Sequence, residues 1–244
     1  MHIGKEFLSK TRYPFLTLSL QKQGQPQPPL ELPLPPGEVI PLPKPAEVIV
    51  PAMDLRTAIE QRVTHRQYSS DGISMEELSF LLWCTQGIRD ASNPKVTMRT
   101  VPSAGARHPL ETILLVNNVA GLKSGLYRYA ASQHGLVKLE APADVAQQLS
   151  QACLQQKHVL TSAVTFFWVA VAERTFWRYS ERSYRYFFLD AGHVCQNLYL
   201  AAEAIDCGVC AIGAYDDDLT NQLLGVDGDA VFTVYGATLG KKGR

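Results

Sequence analysis

Proline is distributed unevenly along this chain of 244 residues, and its distribution limits where helices and strands can form. Residues 26–51 hold ten of the fifteen prolines. Because proline lacks a backbone N–H and fixes φ, this segment favours an extended polyproline II conformation. The prolines alternate with apolar residues, which a flexible linker would not need. We therefore predict that residues 1–53 form an arm packed along a surface of its own chain or, preferably, of a partner subunit; the alternative is a disordered tail.

Residues 54–244 carry interleaved helix and strand patterns and are predicted to form one domain. Strands are expected at 111–117, 126–130, 135–140, 163–172, 209–214 and 230–237. Helices are expected from a capping box at Ser74 to Gln86, and at 142–153, 184–206 and 216–224. The helix at 184–206 is apolar nearly all round and hence expected to be buried. Consecutive strands around 111–140 look like a meander, so an α+β sheet flanked by helices is favoured over a doubly wound parallel sheet.

Composition excludes several classes of protein. The 23 basic and 23 acidic residues balance, which argues against a nucleic-acid binder. The longest apolar run, residues 163–172, is too short for a membrane span, and the N-terminus lacks a signal-peptide pattern. Five cysteines without framework spacing indicate reduced thiols and a cytoplasmic protein. Cys207 and Cys210 have no second pair for zinc and are interpreted as core residues, so no metal is expected.

Two arginines and a threonine lie within five residues at the end of a short helical pattern that Asp54 can cap. They are Arg62, Thr64 and Arg66. A guanidinium presents a rigid fork of donors that suits a phosphate dianion. The alternative is structural, since cations are favoured at the C-terminal ends of helices.

A second segment, residues 102–106, has the sequence Pro-Ser-Ala-Gly-Ala and leads into a predicted strand. Its small side chains let the main chain lie flat against a planar ligand, and glycine tolerates the dihedral angles that this requires. A plain tight turn is the alternative interpretation of this segment.

These two segments occur in order with Gly125–Tyr129, Leu189–Leu198 and Ala211–Asp216, and the set resembles the nitroreductase superfamily, more closely its SagB-type dehydrogenase branch. The resemblance covers roughly residues 54–240. It implies a nitroreductase-like α+β fold with a mostly antiparallel sheet, an intertwined homodimer, and FMN as cofactor. The chemistry would be carried by the flavin, so no catalytic side chain is implied.

The resemblance also implies roles for individual residues. Arg62, Val63 and Thr64 would hold the phosphate and ribityl chain, and Arg66 would lie near the pyrimidine oxygen of the ring. Ile212, Gly213 and Ala214 match the segment whose backbone N–H faces the hydride-carrying nitrogen. The loop Pro102, Ser103, Ala104, Gly105 and Ala106 would pack on the ring from the other subunit. Lys241, or else Lys242 or Arg244, would add a second phosphate contact.

The expected activity is that of an FMN-dependent oxidoreductase that takes hydride from transiently bound NAD(P)H and reduces a small-molecule or peptide acceptor in a ping-pong order. One alternative is a non-catalytic or partner-dependent flavoprotein subunit of a peptide-modifying complex; another is remodelling of the flavin itself. Residues 106–110 differ from the Asn-x-Gln-Pro-Trp pattern of many nitroreductases. Arg178-Tyr179 falls where azoline-oxidising members have Lys-Tyr. Arginine does not readily lose its proton, so azoline oxidation is disfavoured, although Arg178 and Tyr179 could face the substrate.

Two further patterns allow two interpretations each. Four arginines recur at helical spacing among aromatic residues, as in a substrate-facing lid or an interface helix: Arg174, Arg178, Arg182 and Arg185.

Asp190, His193 and Asn197 form a polar stripe on an apolar helix. The stripe is interpreted as a structural hydrogen-bond network rather than as an Asp-oriented histidine base.

Overall fold

The structure is a computed structural model that describes residues 2–243. The helices are α1 (Ile3–Lys10), α2 (Leu55–Gln61), α3 (Met75–Gln86), α4 (Val145–Ala152), α5 (His158–Thr161), α6 (Ala172–Tyr179), α7 (Ser183–Glu203) and α8 (Asp217–Leu224). The strands are β1 (Val39–Pro41), β2 (Ile88–Asp90), β3 (Met98–Arg99), β4 (Leu110–Val116), β5 (Gly125–Ala130), β6 (Gly135–Lys138), β7 (Val164–Val171), β8 (Cys207–Ile212) and β9 (Val231–Lys241).

Seven strands form one antiparallel sheet in the order β1-β6-β5-β4-β7-β9-β8. The meander predicted around 111–140 is β4-β5-β6, and β2 pairs with β3 in a separate ribbon. The α+β class with a mostly antiparallel sheet is therefore confirmed. Each strand that was expected from the sequence is present, with ends shifted by up to a few residues.

The sheet is buried on both faces, which explains the uninterrupted apolar run of β7. Alternate residues of a strand point to opposite faces. On β7, Phe166 and Trp168 join a core with α3 and α7, while Phe167 and Val169 join a second core with α4 and α8. The molecule thus has three layers, with the sheet between two layers of helices. The ends of the strands and the surface of α7 remain available to form a site.

The helix α7 differs from its expected burial. Phe187 and Val194 lie in the core, but Phe188 and Leu189 are 58% and 59% exposed. The prediction of burial all round is wrong for a single chain, because one face packs on the sheet and on α3 while the opposite face meets solvent. Within residues 2–243, no helix combines the length and apolar character that a bilayer crossing requires.

The proline-rich arm lies on its own chain. Strand β1 pairs with β6 at one edge of the sheet. Glu111 accepts hydrogen bonds from Arg174 (2.5 Å) and the N–H of Leu32 (3.0 Å), and Arg128 donates to the carbonyl of Pro33 (2.6 Å). A polyproline II chain has unpaired carbonyls, and these buried arginines satisfy several of them. The division at residue 53 remains a prediction.

Candidate functional site

The segment Arg62–Arg66 runs beside the edge strand β8. Arg62 follows the last turn of α2, whose N-cap Asp54 accepts from the N–H of Thr57, as predicted. Thr64 forms a parallel bridge with Val209, and the N–H of His65 donates to the Val209 carbonyl at 2.9 Å. The backbones approach so closely at Gly208 that a Cβ there would lie 2.5 Å from the Cβ of His65. Glycine at this position therefore permits the contact.

Tyr199 of α7 organises this segment and was missed in the sequence analysis. The guanidinium of Arg62 lies 5.4 Å from the centre of the Tyr199 ring, a cation–π distance. The Tyr199 hydroxyl lies 3.3 Å from Thr64 Oγ1 and accepts the N–H of Ala211 at 3.0 Å. A buried tyrosine needs a hydrogen-bond partner for its hydroxyl. A tyrosine on a helix that was predicted to be buried was therefore the sequence signal that could have identified Tyr199 as a site residue.

The cations of this segment have no carboxylate partners. None of the ion pairs among residues 2–243 includes Arg62 or Arg66. Arg62 is half-buried, and Val63, Thr64 and Arg66 are exposed. Burial raises the pKa of the neighbouring Cys210 thiol, and the charge of Arg66 opposes that rise. Two unpaired guanidiniums on one short segment make a site that suits an anion.

The end of β8 exposes backbone next to these cations. Ile212 is buried, whereas Gly213 and Ala214 are exposed. The Ala214 carbonyl accepts from Gln156 Nε2 at 2.8 Å. A Cβ at Gly213 would meet only the Tyr235 ring, at 3.8 Å, so there is open space beside it. The turn Gly213–Ala214 is therefore held in place by this hydrogen bond, while its surface stays accessible to solvent.

The loop Pro102–Ala106 is fixed by Asp190 near the start of α7. Ser103 Oγ donates to one Asp190 oxygen at 2.6 Å, and the N–H of Ala104 donates to the other at 3.3 Å. Burial raises the pKa of Asp190, and these two hydrogen bonds oppose the rise. Since Asp190 holds the loop and Asn197 donates to the Cys84 carbonyl at 2.8 Å, the structural interpretation of the polar stripe is supported.

The expected site residues contact α7 at two different positions. Asp190 and Tyr199 are nine residues apart on α7, which is about 13 Å along the helix axis. The segment 62–66 contacts α7 near its C-terminal end, whereas the loop 102–106 is hydrogen-bonded to it in the N-terminal half. Arg178 and Tyr179 lie with the loop, because a Cβ on Gly105 would be 2.5 Å from the Tyr179 hydroxyl.

Three of the four arginines considered for a lid bind the N-terminal arm instead. Arg174 Nε donates to the Pro29 carbonyl at 3.0 Å, Arg182 to the Thr11 carbonyl at 2.9 Å, and Arg185 Nε to Thr11 Oγ1 at 2.7 Å. The four do not share one helix, since α6 ends at Tyr179 and Ser180 has φ of 48°. Arg178 is the exposed member.

The C-terminal lysines are engaged elsewhere in this structure. Lys241 Nζ donates to Glu77 at 2.5 Å and to the Ile205 carbonyl at 2.7 Å, and Lys242 pairs with Glu203. The phosphate role of Lys241 stays a prediction, and Arg244 lies outside the described residues. Cys207 and Cys210 are buried in β8, as expected of core residues.

The three-layer α+β fold is that of a known family of oxidoreductases. The sequence model of the Nitroreductase family matches residues 59–241, and the chain belongs to that family. Its solved relatives include a candidate nitroreductase from Ralstonia eutropha, with a TM-score of 0.68 and 20% identity over 90% of this chain and 99% of that one.

Two curated relatives are informative. MJ1384, a candidate nitroreductase of Methanocaldococcus jannaschii, is 32% identical over 170 residues, which cover 70% of this chain and 83% of the relative. The trifolitoxin-processing protein TfxB of Rhizobium leguminosarum is 28% identical over 64% of this chain, which spans 44% of TfxB.

Two solved structures complete the comparison. A candidate nitroreductase from Anabaena variabilis has a TM-score of 0.66 and 29% identity, covering 78% of this chain and 38% of that one. A chain of the E. coli microcin synthetase McbBCD complex has a TM-score of 0.61 and 19% identity over 99% of this chain and 92% of that one. The trifolitoxin and microcin relatives fit the SagB-type branch.

Proposed function

We propose that this nitroreductase-family oxidoreductase binds FMN and transfers electrons from NAD(P)H to a small-molecule or peptide acceptor. The observation that carries the proposal is the unpaired Arg62 and Arg66 beside Thr64, next to the exposed turn Gly213–Ala214. Guanidiniums without carboxylate partners suit a phosphate, and an exposed glycine leaves room for a planar ring.

The residues present fit the cofactor. Arg62, Val63 and Thr64 would hold the phosphate and ribityl chain. Tyr199 would hold Arg62 and Thr64 in position through the contacts described above. Arg66 would supply positive charge at the pyrimidine edge, and the backbone of 212–214 would meet the reacting edge of the ring. When bound, FMN supplies the two-electron chemistry, with donor and acceptor using the same ring face in ping-pong order.

The proposal includes a homodimer in the cytoplasm. The loop 102–106 is anchored to α7 at Asp190, whereas the segment 62–66 contacts α7 at Tyr199, about 13 Å away along the helix axis. A second copy would supply that loop. Large apolar side chains that remain exposed support such an interface: Leu55, Ile59, Val63, Phe188 and Leu189.

The absorbance spectrum of purified protein tests the proposal. Bound FMN gives visible absorbance, which anaerobic addition of NADH or NADPH should bleach. Protein that stays colourless after incubation with FMN contradicts the cofactor assignment, and bound flavin that neither nicotinamide reduces contradicts the assigned donor.

The second candidate is a flavoprotein subunit that works only within a peptide-modifying complex. It is favoured by the similarity to TfxB, whose name assigns it to trifolitoxin processing, and by the McbBCD fold. Yellow protein that oxidises NAD(P)H too slowly to detect, until a partner protein and peptide are added, would favour this candidate.

A further inference from the structure

A cavity of about 680 Å³ lies between the proline-rich arm and the residues around Pro94–Val96 and Arg107. Its walls are Pro28–Leu30 of the arm, Pro94–Val96, Arg107, and Trp177 and Arg178 of α6. The volume is within the range of small-molecule sites. The described residues that line it include three cations and no carboxylate.

Arg107 is the buried cation of this cavity. Its residue is 3% exposed, and its guanidinium lies 5.4 Å from the Trp177 ring centre. Nη2 donates to the Lys95 carbonyl at 2.9 Å, but Nε has no hydrogen-bond partner among residues 2–243. That nitrogen is itself inaccessible to solvent, so a ligand in the cavity would meet the charge of the guanidinium rather than this donor.

Arg178 adds a second positive charge beside the first. It lines the same cavity, and a Cβ on Gly105 would lie 3.0 Å from its Nε. No ion pair among the described residues contains Arg107 or Arg178. Burial lowers the pKa of Arg107, and repulsion from Arg178 lowers it further. An anion between the two guanidiniums would offset both effects.

We propose that this cavity binds the oxyanion group, carboxylate or phosphate, of a small molecule that exchanges electrons with the enzyme. The electron-exchange role rests on the proposed function, because the neighbouring loop 102–106 is the one expected to cover FMN. The binding itself depends on the cations of the cavity, chiefly Arg107 and Arg178, and not on the flavin. The arm forms part of the wall, so this site exists only while the arm lies on its own chain.

Isothermal titration calorimetry of the full chain tests the proposal, before and after saturation with FMN. Benzoate and inorganic phosphate probe the two oxyanions, and benzamide is the uncharged control. We expect at least one oxyanion to bind and benzamide not to bind. Arg178→Gln, an exposed position, should weaken that binding roughly tenfold to hundredfold, as expected on removing a charge-assisted hydrogen bond. Arg107→Gln should do the same.

Matched variants separate this site from the flavin site. Lys123→Gln removes an exposed charge outside the cavity and should leave oxyanion affinity unchanged. With FMN kept at saturation, so that the phosphate site at Arg62 is occupied, Arg62→Ala should leave oxyanion affinity unchanged, although it lowers FMN affinity. In the FMN-saturated protein, binding that Arg178→Gln leaves intact, binding that Arg62→Ala abolishes, or no binding of either oxyanion would overturn the proposal. None of these results would change whether the protein binds FMN, which the absorbance spectrum measures independently.

Discussion

At the scale of single residues, Arg62 extends from the end of α2 over the Tyr199 ring, with no carboxylate to neutralise it. In the proposed flavin site, Arg62→Ala would remove one charge-assisted contact to the FMN phosphate. We expect a loss of about 1.5–3 kcal/mol, or roughly 10- to 150-fold in FMN affinity, measured by quenching of flavin fluorescence. Arg56→Ala, which removes an exposed arginine paired with Glu60 on the same helix, is the control. Equal FMN affinity in wild type and Arg62→Ala would refute the phosphate assignment.

Glu111 is a buried carboxylate between two arginines. Burial would raise the pKa of Glu111, but Arg174, Arg128 and the N–H of Leu32 outweigh it and keep the pKa below its ordinary 4.5. A lowered folded-state pKa stabilises the protein fully above about pH 4.5, and this stabilisation is lost as the pH falls through the folded value.

Glu111→Gln should therefore lower the free energy of unfolding at pH 7 by about 3–5 kcal/mol, since it leaves buried arginines uncompensated. The gap between wild type and variant should narrow below pH 4.5. Urea unfolding across this pH range measures both effects, with the exposed Glu140→Gln as control. A gap that does not depend on pH would show that Glu111 acts through packing and not through its charge.

The sequence predicts part of this residue-scale picture. Arg62, Thr64 and Arg66 stand out because their spacing is local. The roles of Arg174, Arg182 and Arg185 cannot be predicted in this way, because their partners lie 145 to 174 residues away in the arm. A local pattern of cations among aromatics is the same whether the cations bind a substrate or backbone carbonyls.

At the scale of elements, the capping box of α3 is present as predicted. Ser74 Oγ accepts the N–H of Glu77 at 3.2 Å, and Glu77 accepts the N–H of Ser74 at 2.9 Å. Ser74→Ala should lower the free energy of unfolding by about 1 kcal/mol, because a helical N–H loses its partner. Denaturant titration measures the change, with the exposed Ser70→Ala as control. Equal effects of the two substitutions would show that the cap contributes little.

The six predicted strands and the capped helices were predictable because periodicity and caps are local signals, whereas α1, α5, the short strands β1, β2 and β3, and the break between α6 and α7 were not. The pattern of arginines and aromatics continues through residues 174–186, but Ser180 has φ of 48° and separates the helices. Serine carries no strong sequence signal for that conformation. The tertiary contacts of each helix decide it: α6 binds the arm, and α7 packs on the sheet.

At the scale of the whole molecule, a homodimer would account for the exposed apolar face of α7 and would supply the loop that is expected to cover the flavin. We predict that a second copy that covers Phe188 and Leu189 also brings its loop 102–106 within reach of the segment 62–66. Burial of large apolar side chains is the main driving force for such association. Dimerisation and flavin binding should therefore be lost together.

Phe188→Asp places a charge in the middle of that apolar face. Losing a buried phenylalanine costs about 1.5–3 kcal/mol, so the dimer dissociation constant should rise at least about tenfold. Analytical ultracentrifugation measures the dimer, and absorbance of the same samples measures bound FMN. Leu160→Asp, at an exposed apolar position on α5, is the matched control and should leave both unchanged. If Phe188→Asp sediments as wild type does, α7 is not the interface; if it becomes monomeric but keeps FMN, one chain completes the site alone.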